Sequence, residues 1–141
     1  MKNESAVPLT IVVNKEVSRE VIENIFVTAL EGGSNYWYFL SDKAIKKIRK
    51  AVPVSVDPYL STAMPKAILD FGVDVDINDI EDEDEVLGTI SANTMASRLQ
   101  ELSKDKAYKW ALEAEIDEEG MDATSSDIVF QYLAFGGVIF G

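Results

Sequence analysis

Carboxylates spaced as in a calcium-binding loop are the first residues of this sequence that could do chemistry. Asp74, Asp76, Asn78, Asp82 and Glu85 match positions 1, 3, 5, 9 and 12 of such a loop, where oxygen ligands surround the ion. The same template places glycine at position 6, where this chain has an acid, and the apolar alternation before the run favours a strand. An acidic run matches carboxylate templates easily, so we expect no calcium site.

The composition excludes several kinds of catalysis. The 141 residues include neither cysteine nor histidine, so there is no disulfide, thiolate zinc site or histidine general base. Nucleophilic catalysis by Ser-His or Cys-His pairs is therefore excluded. Paired carboxylates alone can hydrolyse glycosides, yet no spacing singles out two of the 25 acids for that role. The sequence predicts a protein without catalytic residues, bound metal or cofactor.

A double glycine followed by aromatic residues, residues 31–37 (EGGSNYW), is the strongest candidate for a recognition feature. Glycine lets the backbone turn tightly out of a helix, and aromatic side chains are enriched at binding sites. A carboxylate and an amide of the last predicted helix would lie beside this segment. The candidate binding residues are Gly32, Gly33, Asn35, Tyr36, Trp37, Tyr38, Asp127 and Gln131. In the alternative interpretation, the glycines only end a helix, the rings cover the core, and the acids Asp122 and Asp127 cap the last helix.

Charge divides the chain into an acidic body and one basic stretch. Twenty-five acids and 13 bases give a net charge of −12, which repels nucleic acids and anionic membrane surfaces. Five of the 13 bases lie in Lys43 to Lys50, whereas residues 70–85 hold nine acids and no base. The acidic run Asp74 to Glu85 could imitate a row of phosphates, and the basic stretch could hold a nucleotide phosphate or an acidic partner. Solvated surfaces are the simpler interpretation of both.

Apolar spacing and capping residues predict several helices. Residues 19–31 carry an i, i+3/i+4 apolar stripe, with Ser18 as N-cap and the double glycine as the stop. Ser41 would cap a basic helix over residues 42–50. Residues 59–71 are expected to be irregular or weakly helical because Pro65 interrupts them.

The C-terminal half of the chain predicts further helices. Ser91 or Asn93 would begin a helix to about residue 104 that continues or restarts through residue 112. Thr124 and Asp127 form a capping-box-like pair at the last helix, which a second double glycine ends at residues 136 and 137.

Alternating apolar and acidic residues predict a strand over residues 71–77, and residues 85–90 predict a second one, joined to the first by a long charged loop. Further short strands are expected at Pro8–Val13, Tyr36–Leu40 and Val138–Phe140. Residues 1–141 are therefore expected to form one α+β domain, with a small, mostly antiparallel sheet covered by helices.

Two motifs, Ala29 to Trp37 and Asp122 to Gly141, lie near the two ends of the chain. Together they resemble a family of small uncharacterised proteins of tailed bacteriophages, prophages and other mobile elements. That family shares Gly-Gly-x-Asn-Tyr-Trp and a closing Asp-x4-Asp-x3-Gln-x3-Phe-Gly helix, often with an acid where this sequence has Gly137. The match spans most of the chain in order. The resemblance implies a phage context and no known activity, so no catalytic role is carried over.

We therefore expect a non-enzymatic accessory protein that binds a host protein, as a regulatory or counter-defence factor, in the cytoplasm of a bacterial host. One alternative is an acidic mimic of nucleic acid that blocks a DNA-binding protein through Asp74 to Glu85, and another is a small-molecule or nucleotide sponge that uses Lys43 to Lys50. No direct contact with nucleic acid is expected, because the net charge of −12 repels it. No membrane association is expected either, because the first residues are too polar for a signal peptide and no apolar run is long enough for a span. The sequence does not indicate an oligomeric state.

Overall fold

The computed structural model of the chain describes residues 14–141. In chain order, its elements are α1 (Arg19–Thr28) with a following π-helical turn (Ala29–Gly33), β1 (Tyr38–Phe39), α2 (Asp42–Ala51), α3 (Leu60–Phe71), β2 (Val75–Asp79), β3 (Asp82–Ile90), α4 (Ala92–Ser103), α5 (Lys109–Asp117) and α6 (Ala123–Phe135). The predicted strand Pro8–Val13 lies outside the described residues. The α+β class is confirmed.

Three antiparallel strands form the sheet, in the order β1-β2-β3. Tyr38 of β1 pairs with Asp79, and Val75 pairs with Ile90 at the other end of β2. The register between β2 and β3 shifts on either side of Asn78. The small antiparallel sheet is therefore as predicted, although β1 holds only two of the five residues expected there.

The strand boundaries differ from those predicted. Phe71 is the last residue of α3 and is 62% exposed, and Gly72 ends that helix at φ 65°. The turn between β2 and β3 contains only Ile80 and Glu81, because residues 82–85 lie within β3. The prediction of a long charged loop was therefore wrong. An exposed edge strand can hold consecutive acids, and their charge also hinders edge-to-edge pairing with another sheet.

Serine N-caps begin three helices where the sequence placed them. The hydroxyls of Ser18, Ser41 and Ser91 accept from backbone N–H groups three residues later, at 3.2, 3.1 and 3.2 Å. The prediction for residues 59–71 was wrong, since α3 runs through Pro65 without a break in its assignment. One face of α3 is fully buried, including Met64 and Ile68, and tertiary packing of that kind outweighs the loss of one backbone hydrogen bond.

The central helix of the fold is α6. It contacts α1, α4, α5 and β3, and every residue from 125 to 134 is buried. The strand β3 crosses α6 at Gly88, where an added Cβ would lie 2.0 Å from the carbonyl oxygen of Ala134. Because α6 is surrounded in this way, its polar residues are enclosed by the other elements.

Within residues 14–141, no helix has the length and apolar character that a membrane span requires.

Candidate functional site

The N-cap of α6 is Asp122, and the predicted pair of Thr124 and Asp127 was wrong by two residues. Asp122 Oδ1 accepts from the backbone N–H of Ser125 (2.9 Å), and Ser125 Oγ accepts from the N–H of Asp122 (2.8 Å). Asp127 lies more than one turn into the helix and is 8% exposed. Capping therefore explains Asp122 and does not explain Asp127.

Four side chains donate hydrogen bonds to the carboxylate of Asp127. Its Oδ1 accepts from Ser34 Oγ (2.7 Å) and Trp37 Nε1 (2.8 Å). Its Oδ2 accepts from Tyr36 Oη (2.5 Å) and Gln131 Nε2 (3.1 Å). A carboxylate offers about four acceptor sites, so all of them are used. We call these five residues the Asp127 network; it joins the segment after the double glycine to α6.

The amide of Gln131 extends the network to the C-terminal segment. Its Oε1 accepts from the backbone N–H groups of Ile139 (2.9 Å) and Phe140 (3.0 Å), and its Nε2 donates to the carbonyl of Phe140 (3.0 Å). The edge strand predicted at Val138–Phe140 was wrong because these backbone groups bond to a side chain instead of a neighbouring strand.

The Trp37 ring lies in the core, within a cluster of other aromatic rings. It stacks on Phe140, with ring centroids 5.2 Å apart and planes 8° apart. Phe135 and Tyr38 meet it edge to face at 5.3 and 5.6 Å, and Phe130 is tilted against it at 5.8 Å. Only 1% of Trp37 is exposed, so this ring packs the interior.

The double glycine allows α1 to end directly beside α6. Gly32 has φ 147°, a conformation that side chains rarely permit. An added Cβ at Gly33 would lie 3.0 Å from the carbonyl oxygen of Thr28 and 3.3 Å from that of Ala123. This close approach places the residues after Gly33 within reach of Asp127.

The environment keeps the tyrosines of this region protonated. Burial of the hydroxyl end and the hydrogen bond to Asp127 both raise the pKa of Tyr36 above its ordinary value of 10.0. Burial raises the pKa of Tyr38 to about 12. Tyr36 therefore remains a hydrogen-bond donor to Asp127 across the physiological pH range.

Part of this region faces solvent, around a cavity of about 510 Å³. Tyr36, Tyr108, Thr124, Asp127 and Phe140 are among the residues that line the cavity, and none of its lining residues is basic. Tyr36 is 53% exposed, and Thr124 is also exposed. The cavity volume lies within the range of small-ligand sites.

The structure brings the eight predicted site residues into one region but divides them by exposure. Gly32, Asn35 and Tyr36 are exposed, and Gly33 is partly exposed. The other four, Trp37, Tyr38, Asp127 and Gln131, are buried.

Sequence reasoning missed two residues, Ser34 and Phe140. Ser34 is fully buried and donates to Asp127, and Phe140 stacks on Trp37. Ser34 occupies the variable position of the Gly-Gly-x-Asn-Tyr-Trp motif. Its place inside that motif was the only signal that could have pointed to it.

The other candidate residues lie elsewhere. The acids of the calcium-like pattern belong to the β2–β3 hairpin, and residues 14–141 contain no group of three or more acids placed to hold a metal ion. Lys43 to Lys50 lie on α2 and line neither of the two cavities described. The larger cavity, about 710 Å³, is lined largely by residues of α4 and α5, with residues 14, 15 and 17 before α1, and contains no predicted site residue.

Comparisons of the chain with protein-family models, curated proteins and solved structures gave no match.

Proposed function

We propose that this chain is a non-enzymatic, phage-type accessory protein that binds a bacterial host protein, as a regulatory or counter-defence factor in the host cytoplasm. The contact surface would consist of Asn35, the ring of Tyr36 and Thr124, which we term the Asn35–Tyr36 surface. The observation that carries the proposal is the Asp127 network, which fixes residues 34–37 from beneath while Asn35 and Tyr36 remain exposed.

Pre-organisation supports a binding role for this surface. Residues that are already fixed lose little conformational freedom when a partner binds, so more of the contact energy is retained as affinity. Three donors from one short segment, Ser34, Tyr36 and Trp37, converge on a single buried carboxylate. A half-exposed tyrosine ring beside an exposed amide combines apolar contact with hydrogen bonding.

The chemistry of the cavity favours binding over catalysis. The four donors occupy the acceptor sites of Asp127, which leaves this carboxylate no free lone pair to accept a proton from a substrate. An anionic nucleotide finds no basic residue in the lining of this cavity. These observations support a protein partner, with an uncharged small molecule as the alternative ligand.

The acidic mimic remains a second candidate function. Residues 81–85 are five consecutive exposed acids, and the last four lie in β3. A strand holds its side chains at fixed spacing, which supports imitation of a phosphate row better than a mobile loop would.

Affinity capture from bacterial lysate tests the proposal and separates the two candidates. Asn35→Arg should abolish capture of the host protein, whereas Asn93→Arg, at another exposed asparagine, on α4, should not. Mass spectrometry of the eluted protein distinguishes a retained small molecule from a protein partner. Loss of capture on Glu83→Lys/Glu85→Lys but not on Asn35→Arg would favour the acidic mimic. Equal capture by the wild type and both asparagine variants would contradict the proposal.

A further inference from the structure

Two surfaces of this chain carry opposite charge, and each includes exposed apolar side chains. The first, which we term the lysine–valine surface, comprises Lys43, Lys46 and Lys50 of α2 and the loop residues 53–59. The second, the acidic hairpin, comprises residues 80–86 around the turn between β2 and β3. No charged residue of either surface forms an ion pair within residues 14–141, apart from the buried Asp57 described below.

Hydrogen bonds hold the loop of the lysine–valine surface in one conformation. The Arg49 guanidinium donates to the carbonyl oxygens of Val52 (3.3 Å), Asp57 (2.5 Å) and Pro58 (3.1 Å). The buried Asp57 carboxylate accepts from the backbone N–H of Tyr59 (3.0 Å) and, at 2.9 Å, from the ammonium group of a lysine of α3. The loop is therefore fixed before any partner binds.

The fixed loop presents apolar side chains to solvent. Val54, Val56 and Tyr59 are 60%, 69% and 68% exposed. Exposed apolar groups that cluster on a surface commonly mark an interaction site, and fixed groups lose little conformational freedom on binding. The exposed lysines of α2, the helix that directly precedes the loop, add a preference for an acidic partner.

The acidic hairpin has the same construction with the opposite charge. Asn78 Nδ2 donates to the carbonyl oxygen of Glu83 (2.8 Å) and so fixes the start of β3. Ile80 and Val86 are 45% and 49% exposed, and the acids 81–85 lie between them. Its apolar and acidic groups match the apolar and basic groups of the lysine–valine surface.

We propose that the lysine–valine surface of one copy of this chain binds the acidic hairpin of a second copy. Opposite charges would align the two surfaces, and the exposed apolar side chains would pack between them. The rest of a molecule with net charge −12 repels another copy, which confines association to this pair of surfaces. In a two-fold dimer, both contacts form at once. The proposal does not depend on the Asn35–Tyr36 surface.

Sedimentation velocity of the full chain tests this proposal. The wild type should sediment as a dimer at about 100 µM protein in about 0.05 M salt and shift toward monomer in about 0.5 M salt. Lys43→Glu/Lys46→Glu/Lys50→Glu gives a chain in which both surfaces are acidic, and Glu81→Lys/Glu83→Lys/Glu85→Lys leaves three lysines and two acids on the hairpin, so that both surfaces of that variant are basic. Each variant alone should dissociate at least roughly tenfold more readily than the wild type.

Mixing the two charge-reversal variants is the decisive step. Each surface of one variant is then complementary to a surface of the other, so the mixture should form a heterodimer. Lys104→Glu/Lys106→Glu/Lys109→Glu makes the same net-charge change as the triple lysine variant, at exposed lysines elsewhere, and should leave the dimer intact. Circular dichroism checks that every variant folds. A wild type that stays monomeric, or folded variants that fail to associate when mixed, would overturn the proposal.

Discussion

Replacing Asp127 with asparagine should remove much of the stability that joins residues 34–37 to α6. The substitution keeps the shape of the side chain but replaces one acceptor oxygen and the negative charge with an NH2 group. In the better orientation, the amide oxygen keeps the donors Ser34 and Trp37, while the NH2 group faces Tyr36 and Gln131. Gln131 Nε2 then loses one of its two acceptors, because two NH2 groups meet, and keeps only its hydrogen bond to the carbonyl oxygen of Phe140.

The magnitude follows from the type of hydrogen bond that is lost. A hydrogen bond to a charged group contributes about 1.5–3 kcal/mol, and one between neutral groups contributes about 0.5–1.5 kcal/mol. One bond is removed and the others become neutral, while burial of a neutral amide is less costly than burial of a carboxylate. The net loss should be roughly 2–4 kcal/mol of unfolding free energy.

Urea unfolding, followed by far-UV circular dichroism and tryptophan fluorescence, measures this loss. Asp122→Asn is the matched control, because asparagine and aspartate are equally good N-caps and the cost should stay below about 0.5 kcal/mol. The m-value should not change between variants if only stability is affected. An Asp127→Asn variant as stable as the control would refute the role assigned to the Asp127 network.

Two further predictions concern packing and pH. Gly88→Ala should cost about 1–3 kcal/mol of unfolding free energy, because the new Cβ would lie 2.0 Å from a carbonyl oxygen of α6. Gly137→Ala, with open space around it, should be tolerated, and urea unfolding of both variants compares the two costs. Burial opposes ionisation of Asp57, but hydrogen bonds from Thr62, Lys66 and the backbone outweigh it and lower its pKa from 3.8 to about 2. Asp57→Asn should therefore cost roughly 2 kcal/mol at pH 7, and this difference from the wild type should vanish as pH falls from about 4 through about 2, in urea titrations at each pH.

Local features of the fold could be predicted from the sequence. Ser18, Ser41 and Ser91 begin helices because an N-cap hydroxyl bonds to a backbone group three residues away, and short-range spacing identifies such a pair. The apolar stripe of α1 likewise predicts its buried side, which includes Ile25 and Phe26.

The sequence placed Asp127 and Gln131 beside the segment after the double glycine, but the individual hydrogen bonds between these distant residues could not be predicted in the same way. The partners of Asp127 in residues 34–37 lie about 90 positions away in sequence, as the hydrogen bonds from Tyr36 and Trp37 span 91 and 90 residues. Nothing in the local pattern distinguishes such an acid from a cap. The helix α3 through Pro65 could not be predicted for a related reason, since the packing of α3 against other elements outweighs the local tendency of proline to interrupt a helix.

The exposure of the individual aromatic residues at the candidate site could not be predicted from the sequence either. The sequence placed the three aromatic residues 36–38 together on one surface. In the structure, Tyr36 is half exposed, whereas Trp37 is enclosed by Phe130, Phe135 and Phe140. An aromatic residue has the same composition signal in a core and in an interface, so only the three-dimensional packing separates the two roles.

We propose that Asn35 serves binding, whereas Trp37, two residues later, serves the fold. Stability and capture of the host partner should be measured together for Asn35→Ala and Trp37→Ala, by urea unfolding and by quantitative recovery from bacterial lysate. Trp37→Ala should cost about 3–5 kcal/mol of unfolding free energy because a fully buried ring is removed, and capture should fall with the folded fraction. Asn35→Ala should change stability by less than about 0.5 kcal/mol and still lose most of the capture, because its side chain is exposed. If capture by the Asn35→Ala variant instead equals that of the wild type, the segment serves the fold alone and the account is contradicted.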